Sequence, residues 1–387
     1  MIKVSESLLQ YRIIDNDSAL ESFLHAQQPC HWIAIDTEFV RERTYYAELG
    51  LVQLSVNGET VVIDPLTIND LTPLWNTVNA PEVATVVHAG GEDIELFYHC
   101  SGGNSPQRIF DTQIAATVLG LGDAMGYARL VEHFCGVELD KSQSRTNWLK
   151  RPLAPQQLDY AAADASYLAA IYPELLRQAR QAGVEELIWE ESQRQVSKRT
   201  QQIPDDLRYL FIGNAWQLNM EQLQRLQRLT AWRFHKARKR NLPLGFLLKD
   251  GALLDVARKC PKNLAQLSAI NGVSPATVKY SGKDILQVLD GERYNQLPAP
   301  QHTLLRLDDM ADYKRCFKAI KQWVGQVAES LNVPPSFVAS RKQINDVMFW
   351  CWQISSDQQQ RLPKPDLFVG WRDARLGADI RELLRPQ

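Results

Sequence analysis

A chain of 387 residues, 45% hydrophobic and 23% charged, has the make-up of a globular protein with two or three domains, and no apolar run approaches the roughly 20 residues of a membrane span. Six scattered cysteines without a C-x-x-C pair argue against a zinc ribbon and a disulfide scaffold, and a start (Met1-Ile-Lys-Val) without a basic-then-apolar leader makes cytoplasm the expected compartment. The net charge of −2 hides a split: residues 1–200 carry 15 Lys and Arg against 27 Asp and Glu (−12), residues 201–387 carry 28 against 18 (+10), so one half suits metal ions and the other a polyanion.

In chain order, Trp32 to Asp36 is a short apolar run ending in acid. Leu49 to Val56 and Thr60 to Ile63 are β-rich and separated by Asn57-Gly58, a strong hairpin signal. Val83 to Val87 predicts another strand, and helical patterns fall at about 69–79, 91–99, 111–120, 126–134 and 155–181. The pattern predicts an α/β domain with a mixed sheet over residues 1–200. A hinge near 200–206 and a polar, proline-rich break at 291–300 bound two helical segments, 205–292 and 305–387.

These two segments look like copies of each other. Trp232 and Trp323, Asn241 and Asn332, Pro243 and Pro334, Phe246 and Phe337, and Asp255 and Asp346 are all 91 apart. Gly282 then answers Gly377 at a spacing of 95, and Leu289 answers Leu384. Repeated matches at one spacing indicate an internal duplication of a helical module.

The chemistry lies in five residues of the first half. D-x-E recurs at Asp36/Glu38, Asp93/Glu95 and Asp290/Glu292, and Y-x-x-x-D at Tyr11/Asp15 and Tyr160/Asp164, so context must choose. Asp36 and Glu38 end an apolar strand, where positions i and i+2 share a face and two carboxylates can reach one ion. Tyr160 and Asp164 are i and i+4 in an alanine-rich helix and share a face too. Hard divalent cations take oxygen ligands, and two of them about 4 Å apart can activate a water and stabilise a leaving oxygen. Asp36 is the natural bridging ligand, and Tyr160, protonated at neutral pH, is suited to orienting the water. Asp111 competes with Asp93 for the third acidic place, but Asp111-Thr112 also fits a helix N-cap.

These segments resemble the three exonuclease motifs of the DEDD superfamily of 3′→5′ exonucleases. Y-x-x-x-D matches its tyrosine subclass; the histidine subclass would need His where Asp159 stands. The resemblance is closer still to the ribonuclease D family, through Ala89 to Phe97, Phe110 to Ile114, Trp148 to Leu153 and Tyr160 to Asp164. It implies a ribonuclease H-like mixed-sheet exonuclease domain followed by two all-α domains of the helicase-and-RNaseD C-terminal (HRDC) type. Carried over by position, Asp36, Glu38, Asp93 and Asp164 are the metal ligands and Tyr160 the water-positioning residue. The resemblance favours Asp93 over Asp111.

The implied activity is a metal-dependent 3′→5′ exoribonuclease. It would use two divalent cations, Mg²⁺ or Mn²⁺, trim the 3′ ends of tRNA precursors and other small structured RNAs, and release 5′-monophosphates. A DNA exonuclease of the repair type and a non-catalytic RNA-binding adaptor are the alternatives. The expected partner is RNA, with no membrane, and the expected state is a monomer. Arg41, Arg43, Lys150 and Arg151 are candidate phosphate contacts in the nuclease half. In the first helical repeat Arg233, Lys236, Arg238, Lys239 and Arg240 follow Trp232, a basic face beside an aromatic that suits RNA. His88, after an apolar strand, is expected in the core.

Overall fold

Short, β-branched and apolar runs in the first 200 residues, buried on both faces, build a six-stranded sheet of order β1-β4-β3-β2-β5-β6. In the computed structural model, which describes residues 2, 9–140, 142–144 and 146–385, the strands are β1 (Tyr11–Ile14), β2 (Trp32–Val40), β3 (Glu48–Val56), β4 (Glu59–Ile63), β5 (Ala84–Val87) and β6 (Ile109–Asp111). β2, β3 and β4 form an antiparallel meander. β1 adds parallel to β4, and β5 and β6 continue parallel from β2. The β3–β4 turn is Asn57-Gly58, with φ of 50° and 84°, the two positive values that a tight hairpin needs.

Seven helices flank the sheet: α1 (Asp17–Ala26), α2 (Thr72–Val78), α3 (Gly91–Cys100), α4 (Thr112–Val118), α5 (Tyr127–Cys135), α6 (Pro155–Gln181) and α7 (Glu185–Thr200). Alternation along β2 decides what each face buries. Ile33 and Ile35 pack with Phe23, Leu74 and Phe97 of α1, α2 and α3. Ala34 packs with Leu130, Leu168 and Ile171 of α5 and α6. Asp36 and Glu38 continue the Ala34 side, so they face α6, while Thr37 faces the α3 layer. Ala161, Ala162 and Ala165 of α6 are buried, and such small side chains let a helix backbone lie close to a sheet.

Two strands escape the sequence pattern. β1 has only four residues, two of them exposed, and β6 only three. β2 also runs past the acidic pair to Val40, with a register irregularity between Glu38 and Phe39.

The chain forms two compact units. The first comprises Met1–Arg41, Ala47–Gln201 and Gln326–Val338; the second comprises Glu42–Tyr46, Gln202–Gly325 and Ala339–Gln387. The helical half repeats one backbone plan. The first copy runs α8 (Met220–Arg240), α9 (Leu244–Leu247), α10 (Asp250–Lys259), α11 (Leu264–Ser268) and α12 (Pro275–Leu289). The second runs α13 (Tyr313–Leu331), α14 (Pro335–Val338), α15 (Arg341–Gln353), α16 (Ser356–Arg361) and a closing helix broken into α17 (Gly370–Arg372), a π turn (Asp373–Gly377) and α18 (Ala378–Leu383). Asn241 and Asn332, 91 apart in sequence, end the long helices in the same left-handed conformation, with φ of 48° and 53°. Among the described residues, no helix is long and apolar enough to cross a membrane.

Candidate active site

β5 pairs with β2 only as far as Val86 opposite Ala34, so Asp36 and the residues after it lie beyond the paired stretch. α3 begins at that end, and its first turn carries Asp93. From the other face α6 presents Tyr160 and Asp164, one helical turn apart.

Carboxylate oxygens of Asp36, Glu38 and Asp164 lie within 4.8 Å of one another. Asp93 stands just outside that group, and its charge acts on both Asp36 and Glu38. Thr37 Oγ1 donates to Asp93 Oδ1 at 2.5 Å and ties the first motif to the second. Tyr160 is half-buried, with its ring centroid 6.2 Å from that of Trp148, and its hydroxyl acts on the Asp164 carboxylate one helical turn on.

The electrostatics are those of a site built for cations. Burial, then the charges of Asp164 and Asp93, pushes Glu38 up to about 9. Burial pushes Asp164 up to about 7 against the hydrogen bond from Tyr160, and Asp93 up to about 6 against the bond from Thr37. Burial, then Asp93, Asp164 and Glu38, raises Asp36 well above the carboxylate range. The charges that act most strongly on Asp36 and Glu38 are those of neighbouring carboxylates, and like charges this close need counter-ions or protons. Oxygen-only donors around one point fit hard divalent cations. Burial raises the Tyr160 phenol, which is therefore protonated at neutral pH.

Asp111 has a different task. Its carboxylate accepts from Gln113 N at 2.9 Å as the N-cap of α4, and from Ala89 N at 3.0 Å and Gly90 N at 3.1 Å. It thus holds the turn, with Ala89 at φ 52°, that launches α3 and places Asp93. Asp93→Asn should therefore remove activity with little loss of fold. Asp111→Asn should cost about 1–3 kcal/mol of stability, because an amide leaves a buried backbone donor unmet. Thermal unfolding and turnover of the two variants separate these roles, and the reverse pattern would exchange the assignments.

Several expected substrate contacts are otherwise engaged. Arg151 is a correction: Nε and Nη2 donate to Asp64 at 2.6 and 2.7 Å, Nη2 to Gly50 O, and Nη1 to Trp148 O and Lys150 O. All five of its donors are used, so it braces a loop and has none left for phosphate. Arg233 is a second correction, being 6% exposed and held by Leu248 O and Asp250. So is Trp232, which at 2% exposure is core and offers no face for a base. Arg41 is paired with Glu92 and with Glu95. Lys236 reaches Asp284 at 2.6 Å and Tyr280 O at 3.0 Å. Arg238 is exposed and donates to Tyr46 Oη at 2.8 Å. Arg43, Lys150, Lys239 and Arg240 are exposed. His88, expected in the core, is part-buried, with Nδ1 3.0 Å from Thr112 Oγ1 and Nε2 buried without a hydrogen-bond partner.

Three residues near the site carry no motif signal: Thr37, Tyr127 and Gln53. Gln53 pairs directly with Asp36 across β2 and β3, is fully buried, and has neither amide atom bonded.

Residues 11–180 match the family profile described as 3′-5′ exonuclease, 222–289 that of the HRDC domain, and 311–380 that of the ribonuclease D C-terminal HRDC domain. The chain is 37% identical to ribonuclease D of Escherichia coli over 377 residues, covering 97% of this chain and 99% of that protein. The chain belongs to the ribonuclease D family. Ribonuclease D of Cronobacter turicensis is likewise 37% identical over 373 residues, covering 96% of this chain and all of that one. The crystal structure of the Escherichia coli enzyme superposes with a TM-score of 0.88, covering 98% of this chain and 100% of that one. As a member of that family, the protein is a 3′→5′ exoribonuclease, a hydrolase of phosphodiester bonds with a mixed-sheet nuclease domain and two HRDC domains. Its exonuclease family uses divalent metal ions, and the acidic cluster that suits them is present.

Proposed function

We propose that Asp36, Glu38, Asp93 and Asp164 hold two divalent cations, Mg²⁺ or Mn²⁺, and that Tyr160 aligns the attacking water at the 3′-terminal phosphodiester. The observation that carries this is the convergence of three carboxylates within 4.8 Å, with the Asp93 charge and Tyr160 beside them. When bound, such ions supply a water acidic enough to attack at neutral pH and a charge that stabilises the departing 3′ oxygen. The carboxylates give that charge a fixed address. Protonated Tyr160 keeps a hydroxyl at Asp164, where it orients the nucleophile without taking its proton. The products are 5′-monophosphates.

The substrates we infer are the 3′ trailers of tRNA precursors and other small structured RNAs. The Escherichia coli relative is described as an exoribonuclease involved in structured RNA processing. The net +10 of residues 201–387 supports binding of a folded polyanion there. Incubating the protein with 3′-extended tRNA, single-stranded RNA and DNA, each end-labelled, with Mg²⁺ or Mn²⁺ and with chelator, tests the reading. Stepwise 3′ shortening of RNA that stops with chelator supports it; no shortening, or shortening of DNA alone, overturns it.

Of the basic residues named in the first HRDC domain, Lys239 and Arg240 lie exposed at the end of α8. Lys239→Ala with Arg240→Ala should lower the log–log salt slope of tRNA-precursor binding by roughly two, about one per lost contact. Arg233→Ala should instead lower thermal stability and leave the slope unchanged. Binding across a salt series in an Asp164→Asn background, which stops cleavage, reads both effects.

A further inference from the structure

Two tyrosines flank Asp164, one at its side chain and one at its main chain. Tyr160 stands one helical turn before it and acts on the carboxylate. Tyr127, the first residue of α5, donates its hydroxyl to the Asp164 carbonyl and lies 3.5 Å from that of Ala163. The Asp164 carbonyl is also the acceptor that a regular helix offers to the backbone N–H four residues on. Asp164 and Leu168 are i and i+4, the pair that an undisturbed helix bonds directly. The Tyr127 hydroxyl therefore shares a carbonyl with the helix ladder of α6. That carbonyl belongs to the residue whose carboxylate is in the acidic cluster.

Tyr127 is itself supported. Its ring packs on the core of Leu130, Leu168 and Ile171, and its centroid is 5.3 Å from that of His88. His88 Nδ1 is 3.0 Å from Thr112 Oγ1, which donates to Val87 O at 3.1 Å. A line of contact therefore runs from the end of β5, through the His88 and Tyr127 rings, to the main chain of Asp164.

We propose that Tyr127 is a positioning residue for the metal site: its hydroxyl, seated at the Asp164 carbonyl, sets the turn of α6 from which the Asp164 carboxylate projects. This rests on the assignment of Asp164 as a ligand. Partners that orient a metal ligand typically matter about 10–100-fold in metal affinity or activity. A tyrosine that merely fills the core would show itself in stability alone.

Tyr127→Phe keeps the ring and removes the hydroxyl. Mn²⁺ binding to the RNA-free protein, followed by electron paramagnetic resonance, should weaken about tenfold or more. The kcat on RNA should fall by a similar factor with KM unchanged, and the unfolding temperature in chelator should move little. Unchanged Mn²⁺ affinity and kcat would overturn the proposal. Asp164→Asn is the control: if it too leaves Mn²⁺ binding intact, the ligand assignment fails; if it destroys binding while Tyr127→Phe does nothing, only Tyr127 is displaced. Should Tyr127→Phe not fold, 3-fluorotyrosine at 127 keeps the hydroxyl. Its fluorine resonance should shift on adding Mg²⁺ and stay fixed in the Asp164→Asn background. No shift in the parent, or the same shift in both, overturns the coupling.

Discussion

Asp164→Asn is expected to abolish RNA hydrolysis while leaving a folded and, without metal, more stable protein. The substitution keeps the shape of a residue that is 8% exposed and removes one of three acids gathered within 4.8 Å. Loss of a metal-ion ligand should lower turnover by roughly 10³-fold or more, about 4 kcal/mol of transition-state stabilisation. The stability effect has a definite sign. Burial pushes the Asp164 carboxyl up to about 7, far above an unfolded carboxylate. The folded protein therefore holds a proton that the unfolded chain has lost, and metal-free stability falls as pH rises from roughly 4 through about 7. Asparagine does not titrate. In chelator the variant should melt several degrees above the parent at pH 8, and the gap should close near pH 4. Adding Mg²⁺ should reverse the order at pH 8, since the parent gains more from a bound ion. Differential scanning fluorimetry across pH, with and without Mg²⁺, reads the stability effect, and turnover is measured alongside. Parent-like turnover would remove Asp164 from the site.

That trade of stability for charge explains how much of the site was legible in the chain. The acidic pair on β2 and the Tyr160/Asp164 pair on α6 follow from local periodicity, because i and i+2 on a strand, or i and i+4 on a helix, share a face whatever the tertiary setting. Asp111 as a cap was legible for the same reason, since capping is local. The failures are all of surroundings. Trp232 reads as an aromatic beside basic residues, yet α8 buries Leu226, Leu229, Trp232, Arg233 and Ala237 across more than one face, so the tryptophan turns inward. Arg151 reads as a free cation, yet its partners Gly50 and Asp64 lie about a hundred residues upstream. Tyr127, Thr37 and Gln53 carry no spacing signal, because their importance comes from which neighbour the fold gives them. The repeat was visible down to the left-handed Asn241 and Asn332. The π turn at Asp373–Gly377 was not, because a five-residue hydrogen-bond step has no composition of its own.

Tyr160→Phe is expected to lower kcat by about 10²-fold with RNA affinity and metal affinity nearly unchanged. The change removes one hydroxyl and keeps the ring beside Trp148, so packing is preserved. What is lost is the hydroxyl beside the Asp164 carboxylate, the group proposed to align the nucleophile. The phenol is raised above its ordinary range by burial first and by Asp164, Glu38 and Asp36 after it, so it stays protonated across the working range of pH. Tyr160 therefore contributes no limb to the pH–rate profile between about 6 and 9, and the variant's profile should have the parent's shape at a lower height. Single-turnover rates on a short RNA across that range, with Mn²⁺ binding measured in parallel, separate the possibilities. A rate equal to the parent's would make Tyr160 a packing residue. Weaker Mn²⁺ binding in proportion to the lost rate would make it a support of Asp164 rather than of the water. Only a lower plateau with intact metal and RNA binding fits the role assigned here.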